Sequence, residues 1–478
     1  MHDGQSPLFD FSRHAAGLAE TVELIRDFAG HDAFRSAAVE ELELDDDFHR
    51  RPLRPEDLGF IDFSKPITTA TATQLPSLAS HRLLLAINEL DIARAPRTAD
   101  AAEIARVAAF YADENRILAA RIRPFLEAFA FDHVGGKPVP ARPGELVAQL
   151  RDHTQAEATN WGGLFARLLR TDYLNEGLRF ILLQKWSLAA TRRAALARAA
   201  ASGYLDGIAP TDRPVLAPDQ PADDLLRRLA AACGVTRAEH SYWQFYLSST
   251  LAGCNLLHAL ANRPDRALQF CGAAFAAEAE WLALGCLTGQ AAGRLGITPA
   301  AGRNDSVEQA ISNLADRFGR ALETVAERHG PAGVAAVGQG LTAGQKLAAE
   351  ARHDLGEQLR WLTAVEGYRG IAQRIDARIQ AECPDIDRET FIEPREMCST
   401  THVHDDHRLV VIETGQMVFW GNLGMKLELE PGEMVLVPMG RLHGSSVLSD
   451  ECIYHQPIIP DNWVDTLVHE HEARLNAA

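Results

Sequence analysis

The sequence predicts a multidomain chain: a helical N-terminal region, an α-helical bundle, and a C-terminal antiparallel β-barrel. Three observations lead there. Through about residue 375, apolar residues recur at i, i+3 and i+4, the period of amphipathic helices. Past residue 400 the period switches to two and is interrupted by Gly and Pro, the pattern of short strands and hairpins. Three histidines, His402, His404 and His443, bracket that alternating stretch. The expected boundaries are 1–140 for the helical N-terminal region, a surface for dimerisation, 141–375 for the bundle and 376–478 for the barrel.

The first region carries helical periodicity at 18–28, 80–92 and 101–131, with an acidic run at 40–47 expected to be a solvated loop. Residues 132–144 are rich in Gly and Pro and read as a linker. The bundle has its clearest helices at 145–169, 174–201, 223–233, 237–261, 264–288 and 306–328, with two more at about 332–355 and 356–382. Breaks are expected at Asn262-Arg263-Pro264 and at 299–305. Six to eight helices of this length imply a bundle.

The alternating stretch divides into strands of its own accord. Val410 and Ile412 precede a turn at Thr414-Gly415, and Val418 and Trp420 precede Gly421-Asn422. Leu427 and Leu429 precede Pro431-Gly432, Val435 and Val437 follow, and a last strand at 451–456 carries Tyr454. His402 and His404 are one residue apart, so on a strand they share a face. His443 meets them only if the sheet curls into a barrel. Three neutral imidazoles on one inner face make a divalent-metal site with open positions.

This pattern resembles the cupin family. Gly432, five residues, Pro438, one residue, Gly440, two residues and His443 reproduce the spacing of that family's second motif. His402, His404 and Gly415 match part of the first. The glutamate ligand expected about four residues after the second histidine is replaced by Arg408 or Leu409. The resemblance therefore implies a three-histidine cupin holding Fe(II), with Zn²⁺, Mn²⁺ and Ni²⁺ as other metals such a site takes. The alternative is a barrel whose histidines bind nothing. Around the ligands, His407 is a candidate proton carrier and Tyr454 a candidate to reach the pocket. Arg408 and Arg441 are candidates to bind substrate, through a carboxylate or at the mouth of the site. The histidines at 469 and 471 read as part of a frayed terminal helix.

Composition bounds the function. A net charge of −18 over 478 residues argues against nucleic acid or an anionic membrane as partner. Seven cysteines without a C-x-x-C spacing suggest free thiols in a reducing compartment. Met1-His2-Asp3-Gly4 lacks the basic-then-apolar pattern of a secretory signal, and no membrane span is expected. A soluble cytoplasmic enzyme, a homodimer, is the expectation.

In the bundle, the run from Phe245 to Leu257 followed by Ala276-Ala277-Glu278 resembles the heme-oxygenase-like diiron oxidase family. The whole order, helical region, bundle and three-histidine cupin, resembles multidomain non-heme iron enzymes that form N-nitroso groups. In them the bundle hydroxylates the guanidine of an N-methylated arginine, and the cupin iron rearranges the product oxidatively. Glu278 fits the glutamate of the third core helix. The rest departs from the pattern: the first core helix offers Gln184, Lys185 and Trp186, and the second offers Asp212, Asp219, Asp223 and Asp224 without a histidine. The last offers Glu308 and Asp316, again without one. Glu239 with His240, His258 facing Glu278, and His353 with Glu357 are the histidines left to recruit.

Three readings follow. The first is a cupin oxygenase that uses Fe(II) and O₂ on an N-hydroxylated guanidine or amine, with Glu278 a remnant of a lost diiron centre. The second is a two-site enzyme whose bundle is also a diiron N-oxygenase. The third is a non-catalytic protein that binds a metal or ligand.

Overall fold

The computed structural model describes residues 7–14, 16–34, 52–53, 55–92, 100–135, 139–140, 142–215, 222–235, 243–297, 306–363, 365–395, 399, 401–422 and 425–477. The acidic run at 40–47, the break at 299–305, and Glu239 with His240 lie outside them.

The helices come first. They are α1 (Leu18–Ala29), α2 (Leu75–Glu89), α3 (Ala101–Phe110), α4 (Asp113–Phe131), α5 (Pro143–Leu168), α6 (Leu174–Trp186) and α7 (Ala189–Ala201). After them come α8 (Ala222–Ala232), α9 (Ser248–Ala261), α10 (Ala267–Arg294), α11 (Val307–Leu362) and α12 (Val365–Glu382). Local chemistry sets several ends. The Asp100 carboxylate accepts from the Glu103 N–H at 3.0 Å and starts α3, and the Ser306 hydroxyl accepts from the Gln309 N–H at 3.1 Å and starts α11, both satisfying amides that a helix leaves open. The expected helix at 101–131 is broken at Tyr111-Ala112, and that at 174–201 is broken at Ser187-Leu188. The break expected between 328 and 332 is a kink inside α11, where Gly330 has φ 63° ahead of Pro331. No break occurs at 355–356; α11 runs on to Leu362.

The centre of the helical region is the packing of α10 on α11. A Cβ at Gly272 would lie 1.9 Å from the Val337 carbonyl oxygen, and one at Gly340 would lie 1.8 Å from that of Gln269. Only glycine permits backbones this close. Contrary to the sequence expectation, one stretch among the described residues, Pro264–Arg294, is long and apolar enough to cross a membrane. In the fold 67% of its most apolar window is buried among the other helices, the situation of a core helix.

The C-terminal region holds β1 (Thr390–Pro394), β2 (His407–Thr414), β3 (Met417–Asn422), β4 (Met425–Leu429), β5 (Met434–Val437), β6 (Gly444–Val447), β7 (Glu451–His455) and β8 (Ile458–Ile459), then α13 (Asp461–Ala477). Every strand anticipated from the alternation is present, but the expected closed barrel is not. The strands form two open sheets: one in the order β1-β7-β2-β5, with β8 also on β2, and one in the order β4-β3-β6. The reason lies in the turns. Of the turns read as hairpins, Gly421-Asn422 joins paired strands, β3 and β4. Gly415 and Pro431-Gly432 carry the chain from one sheet to the other, because β2 pairs with β5 and β7 rather than with β3. Period-two alternation identifies strands but not their partners.

One apolar cluster runs from α5, α6 and α9 through α12 into both sheets. Trp361 of α11 meets Phe419 of β3 edge-on, ring centres 6.3 Å apart. Burying a side chain such as Phe419 contributes roughly 2–3 kcal/mol, so the contact joins the last long helix firmly to the smaller sheet.

Candidate metal centre

Two short stretches bring the three histidines together. Residues 401–404 lie antiparallel to 440–443, and His402 and His443 exchange both backbone hydrogen bonds, at 2.9 and 3.0 Å. The Gly440 N–H donates to the His404 carbonyl at 2.9 Å. Barrel closure, which the sequence reading required, is unnecessary; a local pairing does its work. The imidazole centres are 4.9 Å apart for His402 and His404, 4.5 Å for His402 and His443, and 4.9 Å for His404 and His443. One ring nitrogen from each lies within 4.8 Å of the other two.

The electrostatics favour neutral rings. Burial pushes His404 down to about 2, with His402 and Arg408 adding to the shift. Burial, His402 and His404 hold His443 well below its ordinary value. Neutral imidazole is the form that ligates a metal. His443 is 2% exposed; its Nδ1–H donates to the Arg441 carbonyl at 2.8 Å, which leaves Nε2 with the lone pair. Nε2 of His404 is buried and has no hydrogen-bond partner. A buried orphan nitrogen is costly unless something completes it, and a metal ion between three imidazoles does so. This cluster is capable of coordinating a metal ion.

The other candidates are placed as follows. Phe419 stacks on His443, centres 5.3 Å apart. His407 is buried; its Nδ1 accepts from the Met439 N–H at 3.0 Å, and its Nε2 faces Asp461 at 3.8 Å. Burial lowers its pKa against the opposing pull of Asp461 and Asp465. Arg408 is held by Asp406 and Glu389, and donates to the Gln456 carbonyl at 3.1 Å. Arg441 donates to Glu357 at 2.7 Å. Tyr454 is buried and stacks on Phe391 of the neighbouring strand, centres 5.3 Å apart. A substrate carboxylate reaching Arg408 or Arg441 would have to compete with a carboxylate already there.

Two anchors were invisible in the sequence. Arg82 of α2, 3% exposed, donates to the Thr401 carbonyl at 2.6 Å and hydroxyl at 2.9 Å, and to the Gln244 carbonyl at 2.8 Å. Gln358 of α11, 1% exposed, donates to the Gly440 carbonyl at 2.7 Å and accepts from the Leu442 N–H at 3.1 Å. No local pattern marks either residue; the only available signal is a polar residue at a core position of a helix.

The helical region holds a small cavity lined by Lys185, Arg192, Ser249, Thr250 and Glu280, with small aliphatic side chains on the rest of its wall. Lys185 hydrogen-bonds Glu280, and Arg192 lies 3.7 Å from the same carboxylate. Burial alone would raise the pKa of Glu280, but Lys185 and Arg192 bring it below its ordinary value. The wall itself offers one carboxylate, already neutralised by cations. Beside it Glu157 is paired with Arg352, and His153, close enough to act on Glu280, has a buried Nε2 without a hydrogen-bond partner. That set is short of the several carboxylates and histidines that two irons want. Glu278, two residues and about 200° away on the helix, pairs instead with Arg317 and accepts from the Val215 N–H at 2.9 Å. His258 donates to the Thr191 carbonyl at 3.0 Å rather than facing Glu278. His353 is exposed, and Glu357 of its expected pair holds Arg360 and Arg441.

No family model matches the chain. The chain is similar to nitrosourea synthase of Streptomyces achromogenes subsp. streptozoticus, at 26% identity over 435 residues, covering 86% of this chain and 89% of that protein. The similarity is distant and extends over most of both chains.

Proposed function

We infer that this protein is a non-heme iron enzyme that uses O₂ at the three-histidine centre to rearrange an N-hydroxylated guanidine or amine oxidatively, making an N-nitroso group or an N–N bond. The observation that carries the reading is the cluster itself: three imidazoles with one nitrogen each within 4.8 Å of the others. Its chemical direction comes from the similarity to a protein named for making a nitrosourea. Bound Fe(II) would supply redox chemistry and open positions for substrate and dioxygen.

The chain's own residues do the rest. Burial keeps the His404 and His443 rings neutral and ready to donate. Phe419 covers one face of His443 and keeps water from it. The Arg441–Glu357 ion pair stands two residues before His443 and can exchange its carboxylate for one on a substrate, a donor fork suited to that group. The cavity between the helices, with Lys185 seated on Glu280, favours a single working centre over a two-site enzyme.

The test is anaerobic Fe(II) loading, desalting and metal analysis, followed by O₂ uptake with N-hydroxyguanidine and N-hydroxy-N-methylarginine-type compounds. About one iron per chain and substrate-dependent O₂ uptake are expected. Close to three irons would restore the two-site reading. A bound iron that consumes no O₂ with any such compound would favour a non-catalytic binding protein.

A further inference from the structure

Beside the Phe419 ring stacked on it, His443 is oriented by one peptide unit. The carbonyl of Arg441 accepts from its Nδ1–H at 2.8 Å. That carbonyl belongs to the same planar group as the Leu442 N–H, and the two point in opposite directions across the peptide. The Leu442 N–H is held by the Gln358 Oε1 at 3.1 Å. Fixing the N–H therefore fixes the carbonyl, the carbonyl fixes which ring nitrogen carries the proton, and the lone pair is left on Nε2.

The Gln358 side chain is itself held so that it cannot turn over. Its amide nitrogen donates to the Gly440 carbonyl at 2.7 Å and to Asp354 Oδ1 at 3.3 Å. The Ser249 hydroxyl donates to Asp354 Oδ2 at 2.6 Å. Flipping the amide would set its oxygen against a carbonyl and a carboxylate, and its nitrogen against an N–H. Gln358, Asp354 and Ser249 are 1%, 3% and 3% exposed, so water does not substitute for any of these bonds, and each lost one leaves a costly orphan.

We propose that Gln358, on a helix outside the sheets, is the positioning residue of the metal centre: it sets the Arg441–Leu442 peptide plane and through it the tautomer and direction of His443. The inference rests on the metal-centre reading above. Outer partners of metal-bound histidines typically govern affinity by roughly 10–100-fold.

The experiment uses the full chain and Co(II) as probe. Affinity is read by competition with a chromophoric chelator, and site geometry by the visible ligand-field spectrum. Gln358→Met keeps the volume and removes all three hydrogen bonds; it should weaken Co(II) binding roughly 10–100-fold and alter the spectrum. Gln358→Glu keeps the acceptor for the Leu442 N–H but sets its second oxygen against the Gly440 carbonyl and Asp354, as a flipped amide would, so it should also bind Co(II) more weakly than the wild type. Wild-type affinity and spectrum in Gln358→Met would overturn the inference alone. Absence of Co(II) binding by the wild type, matching His443→Ala, would overturn the metal-centre reading and the inference with it. If Gln358→Met fails to fold, amide exchange in the metal-free wild type decides. A Leu442 N–H protected like the middle of α11 supports the inference, and one exchanging at an open-loop rate overturns it.

Discussion

The helical interior and the three-histidine centre both bury ionisable side chains, and they treat them in opposite ways. Between the helices, Lys185 and Arg192 face Glu280, so the charges are answered from within. At the histidines, burial and the neighbouring rings hold His404 and His443 well below their ordinary values, and the buried Nε2 of His404 has no partner. The Lys185–Glu280 pair satisfies itself, although other buried atoms of the helical region, His153 Nε2 and Glu127 Oε1 among them, have no hydrogen-bond partner. What sets the histidine centre apart is convergence: three imidazoles each bring a nitrogen within 4.8 Å of the others. The helical interior even supplies a control imidazole: His81 is fully buried and neutral, yet its Nδ1 lies 3.3 Å from the Asn255 side-chain nitrogen and its ring packs on Phe131.

The largest effect should separate the two regions outright. His443→Ala is expected to drop retained metal to background after Fe(II) loading while the helical circular dichroism and its melting persist. Metal content equal to wild type would end the distinction. Next, Glu280→Gln strands Lys185 in the core. Removing one member of a buried pair costs about 3–5 kcal/mol, measurable by denaturant unfolding, with metal retention at the histidines unchanged. Replacing both, as in Lys185→Met with Glu280→Leu, should return only part of that stability, because Arg192 is left in the core without its carboxylate. If the single variant lost its metal as well, the two regions would be coupled rather than contrasted.

Glu278→Ala should be milder. It removes the partner of Arg317 and of the Val215 N–H at about 1–3 kcal/mol, and O₂ uptake should stay near wild type. A loss of uptake comparable to that of His443→Ala would show the helical region to be catalytic. The smallest effect is a slope. Burial, helped by His133, lowers His81 to about 3, whereas an unfolded histidine titrates near 6.5. The folded pKa is the depressed one, so this contribution is complete above about pH 6.5 and is lost as pH falls toward 3. Relative to His81→Gln, the wild type should lose about 1.4 kcal/mol per pH unit between pH 6 and 4. Parallel stability curves for the two proteins would contradict a neutral, buried His81.

The sequence was most informative where the determinants are close together. The alternation at Val410 and Ile412, at Leu427 and Leu429, and at Val435 and Val437 located β2, β4 and β5. The histidines were legible because His402 and His404 stand one residue apart and the Gly432 to His443 spacing is distinctive. What was lost is long-range. Whether Gly415 closes a hairpin or passes the chain to another sheet depends on β7, forty residues later, so a barrel was expected where two open sheets stand. The break between α6 and α7 was missed because both flanks are helical in pattern, while Ser187 is held by the Tyr246 hydroxyl at 2.9 Å from a distant segment. Arg82 and Gln358 look like ordinary helix residues until the fold shows what they grip.

Arg82 sets a timetable. Its guanidinium is bonded to Thr401, 319 residues further along the chain. At a synthesis rate of roughly 5–20 residues per second, that separation is on the order of 15–65 s. During the interval α2 exists and the segment it anchors does not, so residues 401–404 cannot be seated until nearly the whole polypeptide has left the ribosome. The three-histidine cluster is therefore among the last parts of the molecule to be assembled. Chains cut short before residue 443 lack it altogether.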